Sequence, residues 1–349
     1  MKKELNVNTT SAVIPVYNVE KYLVRCLDSV VNQSIPFDKI IIVDDGSTDG
    51  CGIICDAYSN KYNNIIVIHK ENGGLVSAWM EGLKYVDTSH ICFIDSDDFV
   101  SSDYHECLVN ALCDGIDMVS MQCVQYIDEN HQYKLPISTL EAGIYTVDDS
   151  IKSIIVCDHG SYNRPIAICR WGKIIRSDLV MEYAKYCTPS ISYGEDQQLT
   201  LGIINACRQI KLLDEYKYYY QFNPNSILNS YRKDMWEKVK LLMRTISNVP
   251  GIRNIPDYTI QYSTQYLLHM SECFRNEFSH KSFTKEYYLN VLSDEDIQTA
   301  LKIYSFDKMR RIDKLICTLA HKKAYTKTYI YLFVFKMYMS IRRIMGKQL

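Results

Sequence analysis

KIIIVDDGSTDG, at residues 39–50, is the stretch that decides the fold we predict for this chain. Lys39–Val43 is a short apolar run, which is typical of a buried strand. Asp44-Asp45-Gly46-Ser47-Thr48 forms a predicted turn, and a helix is predicted from about Gly50 to Ser59. A strand, a turn that carries two carboxylates and a helix make up one unit of an α/β sheet.

Segments of the same two kinds alternate on both sides of this stretch. Apolar runs predict strands and helical periodicity predicts helices, in this order: strand Thr10–Val16, helix Glu20–Gln33, strand Ile65–His69, helix Leu75–Val86 and strand His90–Ile94. The alternation predicts an α/β fold with a mostly parallel sheet, helices on its faces and right-handed crossovers.

The pattern changes along the second half of the chain. Three more strands are predicted, at Asp117–Tyr126, Ile168–Ile175 and Asp214–Phe222. From Tyr231 the pattern is helical, with breaks at Pro250 and Pro256. We therefore predict a catalytic α/β domain over residues 1–230 and a helical C-terminal region over residues 231–349.

Composition narrows the class of protein. Apolar residues make up 47% of the 349 residues and charged residues 23%, which are globular values. The 13 cysteines include no C-x-x-C pair, so we predict neither a zinc site nor a disulfide framework. Scattered free thiols are typical of a reducing compartment. Because Met1–Thr10 lacks an apolar core, no secretory signal is predicted, and we expect a cytoplasmic location.

Polar clusters follow three of the predicted strands: Asp44-Asp45 after the second, Lys70–Gly74 after the third and Asp95–Asp98 after the fourth. The carboxyl ends of parallel strands lie at one edge of a sheet, and ligands bind there. A buried strand needs apolar residues but no carboxylates at its end. These positions therefore indicate an enzyme.

Each acidic cluster has a chemical and a purely structural interpretation. A carboxylate at Asp44-Asp45 would accept the imide N–H of uracil or thymine, or would cap the next helix. The crowded acids Asp95, Asp97 and Asp98 suit Mg²⁺ or Mn²⁺, or form a solvated turn. Gly194-Glu195-Asp196 supplies a candidate general base, or simply begins a helix.

Four motifs together resemble glycosyltransferase family 2, which has the GT-A fold. They are Val13–Leu23 (VIPVYNVEKYL), Ile42–Gly50 (IVDDGSTDG), His69–Gly74 (HKENGG) and Asp95–Asp98 (DSDD). The resemblance continues through Trp171-Gly172-Lys173, Gly194-Glu195-Asp196 and Tyr218-Tyr219-Tyr220, and it fades after about residue 230.

The resemblance implies a role for each matching residue. Asp196 would be the catalytic base beside Glu195, and Asp97, with Asp98 as an alternative, would hold Mg²⁺ or Mn²⁺. Asp95 would hold the ribose and contribute to the metal site. The implied donor-binding residues are Pro15, Tyr17, Asn18, Asp44, Asp45, Asn72, Gly73, Asp95 and Ser96. Relatives of this kind invert the anomeric carbon in one displacement.

The chain departs from the family pattern at two places. Ser77–Glu81 replaces an Arg-Asn pair that many relatives carry in the helix after Gly-Gly, so no role is transferred there. Gln221 replaces the usual Arg after the tyrosines. The loop that begins there, through Asn223–Ser226, resembles a loop that closes over the donor in relatives.

The C-terminal tail is basic. Lys308–Leu349 contains 11 Lys and Arg and one Asp, whereas the remaining chain has 28 basic and 40 acidic residues. Tyr329–Phe335 is apolar but too short to span a bilayer. Its basic flanks predict a helix that lies on an anionic membrane; a core-packed terminal helix is the alternative. No further motif supports a nucleic-acid partner, and we expect none.

We therefore predict an inverting glycosyltransferase that transfers a sugar from a nucleotide diphosphate-sugar, a UDP-sugar in the first instance. The acceptor would be a hydroxyl of a glycan or of a polyprenyl-diphosphate-linked intermediate in surface polysaccharide synthesis, at the inner face of the cell membrane. Two alternatives stay open: a metal-dependent nucleotidyltransferase, and a nucleotide-sugar-binding scaffold without catalysis.

Overall fold

The computed structural model describes residues 9–157, 164–222, 231–232, 234–303, 305–306 and 309–344. The described strands are β1 Thr10–Val16, β2 Lys39–Asp44, β3 Ile65–His69, β4 His90–Phe93, β5 Phe99–Val100, β6 Met118–Asp128, β7 His131–Leu135, β8 Gly143–Thr146, β9 Lys173–Arg176 and β10 Gln209–Gln221.

The described helices are α1 Glu20–Val31, α2 Cys51–Lys61, α3 Leu75–Leu83, α4 Tyr104–Ala111, α5 Asp149–Lys152, α6 Ser177–Ala184, α7 Glu195–Ala206, α8 Met235–Ser247, α9 Tyr258–Ser279, α10 Lys285–Leu292, α11 Glu295–Ile303, α12 Arg311–His321 and α13 Tyr325–Ile344. A 3₁₀ turn, Ile252–Asn254, lies between α8 and α9.

The strands form one mixed sheet in the order β3-β2-β1-β4-β9-β6-β10-β5, with β7 beside β6 and β8 beside β10. β1, β2, β3 and β4 run parallel, so their carboxyl ends share one edge of the sheet. β9 is antiparallel to both β4 and β6. The predicted α/β sheet with flanking helices is confirmed, and this geometry places the three polar clusters along one edge.

The first half of the predicted pattern agrees closely with the structure. β1 and β3 have the predicted bounds, and the breaks at Pro250 and Pro256 both fall between α8 and α9. The strand predicted at Ile168–Ile175 is wrong in extent, because only Lys173–Arg176 is paired as β9. β10 begins earlier than predicted and passes Asp214 and Glu215 through register shifts, which accommodate the two acids inside a long strand.

The core of the sheet is apolar on both faces. α1 buries Leu23, Cys26, Leu27 and Val30 in a cluster that also contains alternate residues of β1 and β2. This burial follows from the helical spacing of the apolar residues, and it fixes where each parallel strand ends. All 13 cysteines are free thiols in the structure.

The chain forms two compact units. The first contains the whole sheet, α1 to α7 and residues 244–255; the second contains α9 to α13 and the first part of α8. Within the second unit, α9 packs against α11, α12 and α13. No helix in the described part of the chain is long and apolar enough to cross a membrane.

Candidate active site

The turns after β1 and β2 are tied together by side chains. Asn18, at a positive φ of 51°, accepts a hydrogen bond on Oδ1 from the Thr48 backbone N–H at 2.8 Å. Its own backbone N–H donates to Ser47 Oγ at 3.2 Å. Pro15 is buried in β1, whereas Tyr17, directly after β1, is 49% exposed. The sheet therefore presents an accessible aromatic ring beside a braced pair of turns.

Asp44 stabilises the turn after β2 from within. Its Oδ1 accepts from the Ser47 backbone N–H at 3.0 Å, and its Oδ2 lies 2.9 Å from His69 Nδ1. His69 is the last residue of β3, and its other ring nitrogen lies 3.1 Å from Asp56. The hydrogen bonds with Asp44 and then Asp56 raise the pKa of His69. Asp44 thus connects the ends of two neighbouring strands.

Asp45 organises the loop that follows β3. Its carboxylate is buried and accepts from Lys70 Nζ at 2.5 Å, from the Gly73 N–H at 3.0 Å and from the Gly74 N–H at 2.7 Å. The Asn72 side-chain amide donates to the Asp45 carbonyl at 3.0 Å. Residues that the sequence predicts to bind the sugar donor, from the ends of β2 and β3, are therefore joined by hydrogen bonds into one cluster.

The acidic run after β4 points its carboxylates in different directions. Asp98 is fully buried, accepting from the Tyr218 hydroxyl at 2.7 Å and from the Gln221 backbone N–H at 2.8 Å. Burial, and then the charges of Asp97 and Asp95, raise its pKa well above the usual value. Ser96 is also buried. Asp98 therefore faces β10, with a protein donor on each oxygen.

Asp97 is partly exposed, and among the described residues no side chain donates a hydrogen bond to its carboxylate. Burial, and next the charge of Asp95, raise its pKa to about 6. A carboxylate without a side-chain donor, next to a second acid, has the oxygen atoms that Mg²⁺ or Mn²⁺ prefers as ligands. The described residues hold no group of three or more His, Cys, Asp or Glu that would form a complete cage. Mg²⁺ often needs only one or two carboxylates together with substrate phosphates, so the site fits such an ion.

Arg170 brings together two acids from distant parts of the chain. Its guanidinium donates through Nη1 to Asp196 and through Nη2 to Asp95, one Oδ1 in each case. Asp95 lies two residues after the end of β4, and Asp196 lies in the first turn of α7. Burial raises the pKa of Asp95, and the charge of Arg170 opposes that rise. The Arg170 side chain itself is 1% exposed.

Glu195, the other predicted catalytic acid, begins α7 after Gly194, which adopts a positive φ of 65°. Burial and the neighbouring charge of Asp196 raise the pKa of Glu195. The helix start and the acidic site thus coincide, so the two interpretations of Gly194-Glu195-Asp196 are compatible. A helix N-terminus also favours negative charge.

Two cationic residues of this region are not predicted by any motif in the sequence. Arg170 directly precedes Trp171-Gly172-Lys173, and that proximity is the only signal of its position. Arg25, on α1, lies 4.2 Å from the Phe99 ring centre and donates to Gln221 Oε1 at 2.5 Å. Arg25 therefore places a guanidinium beside Gln221, the position at which the family pattern has an Arg.

An aromatic stack supports the acidic run. Trp171 stacks on Tyr218 with ring centres 4.5 Å apart, and on Tyr220 at 5.8 Å. The Tyr218 hydroxyl also accepts from the Asp95 backbone N–H at 3.1 Å. β10 thus positions both ends of the acidic run. The loop predicted to follow, Asn223–Ser226, lies outside the described residues.

Acids at the ends of parallel strands, an unpartnered carboxylate and a braced loop define an α/β protein with a polar ligand site at its strand ends. Residues 11–169 match the family model "Glycosyl transferase family 2". This segment is less than half of the chain and contains all four motifs, so the resemblance that they predict is confirmed over residues 11–169.

Named relatives agree with the family. The uncharacterized glycosyltransferase EpsJ of Bacillus subtilis (strain 168) is 32% identical over 219 residues, which is 62% of each chain. The minor teichoic acid biosynthesis protein GgaB of the same organism is 31% identical over 218 residues, 60% of this chain and 23% of GgaB. The match therefore spans less than two thirds of either relative.

A solved structure shares the fold. S. aureus TarS 1-349 in complex with UDP-GlcNAc superposes with a TM-score of 0.66 at 20% identity, covering 95% of this chain and 92% of that one. The predicted GT-A fold is confirmed.

Proposed function

We propose that this protein is an inverting glycosyltransferase that transfers a sugar from a UDP-sugar to an acceptor hydroxyl. The observation that carries the proposal is the pairing of Asp95 and Asp196 on the Arg170 guanidinium. The family resemblance assigns the acidic run that contains Asp95 to binding of the sugar donor. It assigns Asp196 the role of catalytic base. The pairing supports a site in which donor and base are neighbours.

In the proposed reaction, the acceptor hydroxyl attacks the anomeric carbon of the donor. Asp196 takes the proton of that hydroxyl while the new carbon–oxygen bond forms. The bond between the anomeric carbon and the diphosphate oxygen breaks, and its electron pair leaves with the nucleoside diphosphate. One displacement inverts the anomeric carbon. Glu195 supports Asp196 by adding negative charge beside it.

The donor would lie along the strand ends. Tyr17 offers an exposed ring for the base, with Pro15, Asn18 and Ser96 shaping the backbone around it. Asp44, Asp45, Asn72 and Gly73 would form a second wall of this proposed pocket. Because the Asp45 carboxylate is already bonded to Lys70, Gly73 and Gly74, we propose that it acts chiefly by holding this wall in place.

Asp97 is the proposed metal ligand, with Asp95 beside it. Asp98 is less suitable as a ligand, because both of its oxygens accept hydrogen bonds from protein donors. A divalent cation held there would supply positive charge to the departing diphosphate. The pKa of Asp97 is raised because burial, and next the charge of Asp95, outweigh the opposing charges of Arg170 and Arg25.

The relatives supply the proposed substrate class. TarS was solved with UDP-GlcNAc, and GgaB is named for teichoic acid biosynthesis. We accordingly propose a UDP-linked hexose or N-acetylhexosamine as donor. The proposed acceptor is a glycan or a polyprenyl-diphosphate-linked intermediate of a surface polysaccharide.

A donor panel with product analysis tests the reaction class. The full chain is incubated with Mn²⁺ and UDP-, dTDP- and GDP-sugars, first with water and then with candidate lipid-linked acceptors. We expect one UDP-sugar to yield UDP and a sugar of inverted configuration. Release of UMP and a sugar phosphate would instead indicate attack at phosphorus, as in nucleotidyl transfer. UDP-sugar binding without turnover on any acceptor would support a scaffold.

We also propose that α13 binds an anionic membrane surface from the cytoplasmic side. α13 packs against its own unit through Thr328 and Leu332, which are buried. On the opposite face, four apolar side chains are about half exposed at helical spacing: Ile330, Phe333, Val334 and Met337. Exposed Lys327 and Lys336 flank this apolar stripe of α13. An amphipathic surface with basic flanks is the pattern of helices that lie on anionic lipid.

A further inference from the structure

The Arg170 side chain is almost fully enclosed and carries the only described positive charge that contacts either Asp95 or Asp196 directly. Its two Nη atoms are each committed to a different carboxylate. Its Nε is buried and has no hydrogen-bond partner among the described residues. Enclosing a guanidinium costs free energy unless charged partners compensate, so this geometry depends on both acids together.

Two contacts to the backbone beside Arg170 hold this residue between the two acids. An isolated bridge pairs Phe93, at the end of β4, with Trp171, which places Arg170 beside the exit of that strand. Thr200 Oγ1, on α7, donates to the Ile168 carbonyl at 2.6 Å. The segment that carries Arg170 is thus fastened on one side to the strand that precedes Asp95 and on the other to the helix that carries Asp196.

We propose that Arg170 is a positioning residue that fixes the Asp196 carboxylate relative to the donor-holding acid Asp95. This inference rests on the proposed base role of Asp196. Arg170 occupies Oδ1 of Asp196, and no described donor occupies its Oδ2. One oxygen is therefore held in place while the other is available to take a proton.

The shape of the guanidinium explains why an Arg is needed between Asp95 and Asp196. A guanidinium is planar and presents two Nη groups in a fixed fork, so it aligns two carboxylates at once. A Lys carries the same charge at a single point and reaches one partner well. Replacement by Gln leaves the partly buried acids Asp95, Glu195 and Asp196 without a cation, so their mutual repulsion is expected to separate them.

A double-mutant cycle in the full chain tests the proposal. The variants are Arg170→Gln, Arg170→Lys, Asp196→Asn and Arg170→Gln combined with Asp196→Asn. Arg176→Gln is the matched control, because Arg176 also bridges two acids, Asp117 and Asp178, but at the opposite end of β9. UDP binding with Mn²⁺ and single-turnover UDP release from the donor selected by the panel are measured, with circular dichroism to check folding.

We expect Arg170→Gln to slow single-turnover release by roughly 10²-fold, as for a catalytic group displaced by about 1 Å, with UDP affinity changed by less than about tenfold. Arg170→Lys should recover part of the rate, and Arg176→Gln should change neither quantity. Because Arg170 acts through Asp196, the double variant should be no slower than Asp196→Asn alone.

The inference would be overturned if Arg170→Gln and Asp196→Asn slowed the reaction independently, so that their effects multiplied in the double variant. It would also be overturned if Arg170→Gln lost UDP affinity but kept a normal rate at saturating donor. A fully active Arg170→Lys would show that charge alone suffices and would overturn the geometric role. If Arg170→Gln does not fold, the same cycle is run with Arg170→Lys. An active Asp196→Asn enzyme refutes the proposed base instead, and this outcome is distinct from the others.

Discussion

The Tyr218 hydroxyl donates a 2.7 Å hydrogen bond to Oδ2 of Asp98, joining residues 120 positions apart. The Gln221 backbone N–H occupies the other oxygen at 2.8 Å. Asp97, the preceding residue, has no such donor among the described side chains. Asp97 and Asp98 are adjacent in the sequence but differ in their hydrogen-bond donors. This difference makes Asp97 a candidate metal ligand and Asp98 a structural acid.

Asp97→Asn and Asp98→Asn form a matched pair that tests the metal assignment. We expect Asp97→Asn to abolish the difference in UDP affinity between Mn²⁺ and EDTA, because it removes the free carboxylate. Asp98→Asn should keep that difference but lower the free energy of unfolding by about 1–3 kcal/mol, since its new amide N–H₂ faces one of two buried donors. Calorimetric titration and chemical denaturation measure the two effects. Equal UDP affinity in Mn²⁺ and EDTA for the parental protein would refute the metal site itself.

The raised pKa of Asp97 gives a pH dependence with a definite sign. A metal ion and a proton compete for the same carboxylate, so the gain in UDP affinity from Mn²⁺ should decline as pH falls through about 6. In EDTA the folded-state pKa lies above the unfolded value of 3.8, so Asp97 makes the fold less stable as pH rises between about 4 and 6. Denaturation in EDTA across this range should show a smaller decline for Asp97→Asn than for the parent. Parallel curves for the two proteins would contradict the prediction.

Much of the sheet could be predicted because its signals are local. β1 and β3 are short apolar runs bounded by polar turns, and their bounds follow from the sequence alone. The position of Asp98 could not be predicted in this way. Its surroundings depend on β10, which pairs with β5 and β6 and carries Tyr218 to the acidic run.

The position of Arg170 is a second feature that could not be predicted from local sequence. The sequence predicts a strand over Ile168–Ile175, whereas only Lys173–Arg176 pairs as β9. The preceding residues leave the strand pattern and carry Arg170 to two acids that lie 75 and 26 positions away. No periodicity encodes such a contact, because it arises from the crossing of β4, β9 and α7.

Gly46 and Gly74 provide a comparison within the hydrogen-bonded turns around Asp45. Both have positive φ, 74° and 85°, so an Ala at either position costs about 1–2 kcal/mol of backbone strain. At Gly46 a Cβ would also lie 2.8 Å from the Asn72 backbone nitrogen, whereas at Gly74 it meets nothing within 4 Å. Gly46→Ala should therefore weaken UDP binding more than Gly74→Ala, by displacing the Lys70–Gly74 loop. Equal affinities for the two variants, measured by titration, would show that this loop does not shape the donor pocket.

The apolar stripe of α13 is tested with vesicles. We expect the full chain to co-sediment with phosphatidylglycerol-containing vesicles more than with phosphatidylcholine vesicles, and less at high salt, because each basic residue near the surface contributes about 1 kcal/mol. Phe333→Ser combined with Val334→Ser should reduce sedimentation, and Lys327→Glu should reduce it at low salt. Leu289→Ser on α10, which removes another exposed apolar side chain, is the control. Sedimentation that none of these variants alters would refute the stripe as the surface that binds the membrane.

Asp196→Asn is the most direct test of the reaction. A sugar hydroxyl is a weak nucleophile until its proton is removed, and in the proposed mechanism Asp95 and Asp97 hold the donor and the cation instead. General-base catalysis typically contributes about 10²- to 10⁴-fold, so Asp196→Asn should slow single-turnover transfer by that order while it leaves UDP affinity nearly unchanged. Asn preserves the shape of the side chain, and its oxygen still accepts from Arg170. Glu195→Gln is the matched control and should cost less, because Glu195 makes no direct contact with Arg170 among the described residues and only adds charge beside Asp196. Parental transfer by Asp196→Asn together with an inactive Glu195→Gln would exchange the two roles, and full activity of both variants would place the base elsewhere in the chain.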